Sequence, residues 1–159
     1  MVEAMNANSA HTGVQEQALG ALMNLGGDED VRNTIVAAGG STLILEAMRQ
    51  HASKVVQMRA CGALWALAAG RESRAALVDA GAIPLILNSI RNHPTEPGMI
   101  ERAACALRGL AGSSDAKTDA LAQIVLKEQI KDIIIIIRPR WGAVAAQGNA
   151  RQRYARRRP

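Results

Sequence analysis

The chain has 159 residues, 48% of them apolar and 21% charged, with no Phe and 2% aromatic residues; it has room for one domain or a few units of a repeat. Its core must therefore be built from Leu, Ile, Val and Ala, and the alternating β-branched and aromatic pattern of a sheet protein is missing from residues 14–112. The net charge of +5 is unevenly placed: residues 1–132 hold 12 Lys+Arg against 14 Asp+Glu, whereas residues 133–159 hold 7 Arg and no acid.

Residues 1–12 read as a polar N-terminal segment, with no basic stretch followed by an apolar one that would mark a secretory leader. From there the chain aligns with itself at shifts of 42 and 43 residues. Val14 to Gly26 matches Val56 to Ala68 and then Met99 to Ala111. The apolar positions recur: Val14, Ala18, Leu19, Leu22 and Leu25; Val56, Ala60, Cys61, Leu64 and Leu67; Met99, Ala103, Ala104, Leu107 and Leu110. Steps of four, one, three and three keep these on one stripe of a helix with 3.6 residues per turn, so each segment is expected to be a long amphipathic helix.

Between the long helices, Asp28 to His51 matches Gly70 to His93. Each stretch reads as a short helix (Val31 to Ala38; Ser73 to Ala80), a glycine corner at Gly39 or Gly81, and a second helix (Thr42 to Gln50; Ile83 to Arg91). Glycine suits the corner because it alone enters positive φ without a steric penalty. Pro84 falls in a first helical turn, where its missing N–H costs little. The acidic triplet Asp28, Glu29 and Asp30 opens a short helix and complements its dipole.

Three helices in about 42 residues, with "IVAAGG" and "LVDAGAIPLIL" at the first corner and "ACGALWALA" in the long helix, resemble the armadillo repeat. The resemblance spans residues 13–137 as two good units and a degenerate third, with Ile124 where the corner glycine belongs. It implies an all-α fold, an armadillo-type α-solenoid in which three-helix units form a right-handed superhelix and the third helices line a groove for a partner protein or extended peptide. The importin-alpha type within the family grips basic peptides with a Trp and an Asn four residues apart on each third helix. Here the Trp positions are Gly20, Gly62 and Cys105 and the Asn positions Asn24, Ala66 and Gly109, so that clamp is not expected.

The candidate partner-binding residues in this groove are Asn24, Met58, Arg59, Trp65, Arg102 and Arg108. Trp65 with Met58 offers an apolar platform, the three arginines offer cations for carboxylates, and Asn24 offers an amide for a peptide backbone. An acidic, partly apolar peptide fits that row. The structural alternative is that Trp65 packs into a neighbouring unit and the arginines form a solvated face.

No catalytic, cofactor or metal site is expected. His51 and His93 hold the same loop position in successive units, His11 has no nucleophile beside it in sequence, and the glycines lack a P-loop Lys or dinucleotide fingerprint. Cys61 and Cys105 sit inside helical patterns, which suits a reducing compartment, cytoplasm or nucleus. The longest apolar run outside the Ala-rich helices, Ile133 to Ile137, is too short to span a bilayer and asks to be covered, by a partner or by a second copy. Residues 138–159 read as an Arg-rich disordered tail, with nucleic acid or another anionic partner as the functional alternative to a solvated end. The leading expectation is a non-catalytic protein-interaction scaffold; the alternatives are a nucleic-acid-associated protein acting through the tail and an adaptor subunit of an enzyme such as a ubiquitin ligase. With so few units, the chain is expected to belong to a longer array or to self-associate.

Overall fold

The computed structural model describes residues 1–112. The degenerate third unit from residue 113, the Ile133–Ile137 run and the tail at 138–159 lie outside the described residues.

All the regular structure in the described residues is helical. A six-residue helix, α1 (Val2–Ala7), precedes α2 (Thr12–Leu25), α3 (Glu29–Ala37), α4 (Gly40–Gln50), α5 (Lys54–Leu67), α6 (Arg71–Asp79), α7 (Ala82–Asn92) and α8 (Pro97–Ala111). The lengths run 14, 9 and 11 residues in α2, α3 and α4, and again 14, 9 and 11 in α5, α6 and α7, before the 15 of α8. The 42-residue sequence period is therefore a structural period, and each expected helix forms within two residues of its expected ends.

The corners form as the glycines require. Gly39 has φ 78° and Gly81 φ 84°, both left-handed, and each immediately precedes the first residue of the next helix. Asp28 caps α3 by accepting the Val31 amide at Oδ1 (3.0 Å), with Glu29 and Asp30 in the first turn. Pro84 occupies the first turn of α7 and Pro97 begins α8.

Packing follows the apolar stripe. Helix α2 lies along α5 and α5 along α8, while α4 and α7 cover α5 and α8 respectively. Leu19, Leu22, Ile44, Leu64, Leu67, Leu77, Ile86, Leu87, Met99 and Leu110 are sealed from solvent. The middle stripe (Val56, Ala60, Cys61, Leu64, Leu67) is wholly buried because α5 has a long helix on each side. Two expected stripe residues instead stand exposed: Leu25 on α2 and Ala104 on α8, each on a long helix with only one long neighbour among the described residues.

Residues 1–12, expected to be a polar segment, contain α1, which packs on α2 and α4. Met5 is buried there. The side chain of Gln15 in α2 donates to the Met5 carbonyl (2.8 Å) and the Asn8 carbonyl (2.9 Å), and Gln57 in α5 donates in the same way to Met48 and His51 (2.7 Å each). Helix α1 thus stands to α2 as the end of α4 stands to α5.

Candidate protein-interaction face

The face formed by α2, α5 and α8 carries all six residues singled out in the sequence. They divide into two sets. Asn24, Trp65 and Arg108 are exposed; Met58, Arg59 and Arg102 are half-buried.

The buried stripe leaves Gly20, Gly62 and Cys105 at one position on the three long helices, and the small residues decide where the arginines go. Arg59 of α5 lies across Gly20 of α2: its Nη1 would stand 3.3 Å from a β-carbon at that glycine, and it donates to the Glu16 carbonyl at 2.6 Å. One unit on, Arg102 of α8 lies across Gly62 of α5, its Nη1 3.2 Å from a β-carbon there, and donates to the sulfur of Met23 on α2 at 2.8 Å. Each arginine is therefore a strap running back over the preceding long helix. The part-buried Glu16 carbonyl gains a charge-assisted bond, a class worth roughly 1.5–3 kcal/mol. Expected as cations presented to a partner, Arg59 and Arg102 spend part of their donor capacity within the fold.

Trp65 does not enter the core: it is 48% exposed, the most exposed large apolar side chain among the described residues. Its Cδ1 would lie 3.3 Å from a β-carbon on Gly109, so the indole rests on the bare backbone of α8 at a position where a larger side chain would push it off. Arg108 occupies the position of Trp65 one unit on and is likewise exposed. Asn24 occupies the position of Gly109 two units back. The open part of the face is thus an indole and a guanidinium on adjacent helices, with an amide on the third.

A second group of polar residues lies beneath the face and was not singled out in the sequence. Gln57 is buried, and besides donating twice it accepts from the Ser89 hydroxyl of α7 through Oε1. Its amide is bonded on both sides and ties the end of α4, α5 and α7 together. Cys61 lies nearby, and burial pushes its thiol up to about 12, against smaller opposing effects of a hydrogen bond with Ser89 and of Arg102. It is therefore a protonated core residue at neutral pH. His51 is buried at the end of α4, where Nε2–H donates to the Ser9 carbonyl (2.7 Å). Its Nδ1 lies 3.2 Å from the Thr12 hydroxyl, within hydrogen-bonding distance. His93 ends α7 as His51 ends α4, the repeat position expected from their spacing. The one signal in the sequence for the Gln57 tie was a Gln at the same place in two copies, with Ile100 in the third.

Among the described residues no group of three or more His, Cys, Asp or Glu side chains is arranged to hold a metal ion, and no helix is long and apolar enough to cross a membrane. No family model, no curated protein and no solved structure matches the chain.

Proposed function

We propose that the chain is an armadillo-type α-solenoid, a right-handed array of three-helix units, and that it acts as a non-catalytic scaffold binding a partner segment along the α2–α5–α8 face. The repeated 14, 9 and 11-residue helices with a left-handed glycine at each second corner support the solenoid reading. The observation that carries the binding reading is Trp65: a side chain of this size left half in water on a face of aligned helices loses apolar burial that a partner would restore.

The chemistry of the face selects the partner. Arg108 stands exposed on α8, the helix the indole rests on, and the guanidinium groups of Arg59 and Arg102 are half-buried on the same three long helices. An extended peptide with a bulky apolar residue beside an Asp or Glu places one on Trp65 and the other on Arg108. The amide of Asn24 is free to meet the peptide backbone further along.

Panning a random-peptide display library on the immobilised chain tests this. Enriched sequences are expected to share an acidic residue next to an aromatic or branched aliphatic one, and to lose binding to a Trp65→Ala, Arg108→Ala chain. Failure to enrich any sequence, or enrichment equally strong on the double variant, contradicts the proposal.

A further inference from the structure

Two half-buried arginines direct their guanidinium groups to the same turn of α2. Arg59 reaches back from α5, its Nη1 over Gly20 and donating to the Glu16 carbonyl at 2.6 Å. Arg102 reaches back from α8 across Gly62, its Nη1 2.8 Å from the sulfur of Met23. Gly20 and Met23 stand three residues apart in α2, neighbours on one face of the helix. A guanidinium has five N–H donors, and each of these bonds uses one. Neither acceptor carries a full charge: one is a carbonyl, the other a thioether, which accepts weakly. No carboxylate of the described residues pairs with either arginine; the ion pair there is Lys54 with Glu96. Glu16 turns its own carboxylate to the Ser53 hydroxyl (2.9 Å). Two cations brought to one turn and partly withdrawn from water repel each other, and an anion between them removes that cost.

We infer that Arg59 and Arg102 together form a seat for a phosphoryl group carried on a serine or threonine of the partner segment. A carboxylate brings one negative charge and suits one guanidinium fork. A phosphoryl group brings a charge of about −1.5 to −2 and three acceptor oxygens, which suits two. Both side chains already lie across bare glycine backbone, so they lose little further freedom when the anion arrives. The seat rests on the reading of α2, α5 and α8 as a binding face and adds to it a contact that uses neither Trp65 nor Arg108.

The test immobilises the whole chain and measures retention of three fluorescein-labelled peptide libraries, with phosphoserine, serine or glutamate fixed between degenerate flanks. The phosphoserine library should be retained about tenfold better than the other two, by an excess that shrinks with added salt. Arg59→Gln and Arg102→Gln should each remove most of the excess, and Arg108→Ala should leave it. Because both arginines also strap the fold, a second readout uses the parent chain alone. The best-retained phosphoserine peptide should slow hydrogen–deuterium exchange around Gly20–Met23 more than its serine form does. Equal retention of the phosphoserine library and either other library, an excess untouched by both Gln changes, or no added protection at Gly20–Met23 would overturn the seat. Trp65→Ala separates the two proposals. If it lowers retention of all three libraries and there is no phosphoserine excess, the seat fails and the peptide-binding reading stands. If the excess persists while Trp65→Ala changes nothing, the seat is upheld and the role given to Trp65 fails.

Discussion

Gln57 makes three buried hydrogen bonds with one amide, and its removal strands two carbonyls, while the Ser89 hydroxyl keeps the Leu85 carbonyl as an acceptor (3.0 Å). Gln57→Ala should cost about 2–4 kcal/mol in urea unfolding, since each abandoned buried group carries a penalty of roughly 1–3 kcal/mol and some are partly recovered by water. At the same position the third unit has Ile100, so Gln57→Ile should cost less than Gln57→Ala if apolar filling offsets part of the loss; equal costs would show that the hydrogen bonds alone matter. Cys61 makes a pH prediction. Its thiol is raised from 9.0 to about 12 by burial, so the folded state favours the protonated form and the unfolded state releases the proton first. The resulting stability is fully present below pH 9 and is lost as pH rises from 9 towards 12. Urea titrations of the parent and of Cys61→Ala, compared between pH 8 and 10.5, should show the parent losing the larger share. Identical slopes would contradict the buried-thiol account.

At the scale of elements, the straps and corners explain why helices of modest length hold their places. Replacing Gly39 or Gly81 with Ala keeps the helices but forces an L-residue into φ near +80°, which should destabilise by about 1–2 kcal/mol. The same change at Gly27, where φ is not positive and nothing crowds the position, should be close to neutral. Thermal melts of the three variants separate conformation from crowding. These elements were legible in the sequence because one helical period and one repeat period reinforce each other over residues 14–111. Helix α1 was not, because its six residues carry a single buried side chain, Met5, too little for a periodic signal. It is held by Gln15, which reads in isolation as a surface residue. The straps were half legible: the arginines could be placed on the face, but the Glu16 carbonyl and Met23 sulfur that receive them are decided by which helix lies alongside. Trp65 was left open between core and face, and only the bare backbone at Gly109 decides that it lies across the surface.

Over the whole molecule, the residues that hold the fold and those proposed to bind the partner's apolar and acidic side chains separate along the same face. Arg59 and Arg102 bridge the long helices, while Trp65 and Arg108 stand exposed on them. Arg59→Ala should lower stability by about 1–2 kcal/mol through loss of a charge-assisted bond, and Trp65→Ala by about 1–3 kcal/mol, because roughly half of that large side chain is buried. The same logic applies along the stack: Leu67→Ala should cost about 2–5 kcal/mol and Leu25→Ala far less, because one is sealed between units and the other is half in water. The central claim, that a partner segment lies across α2, α5 and α8, is tested most directly by hydrogen–deuterium exchange of the whole chain with and without a peptide enriched in panning. Slowed exchange confined to α2, α5 and α8 and centred on Trp65 is the expected result. Protection centred on α3 and α6, or none on the three long helices at saturating peptide, would contradict it.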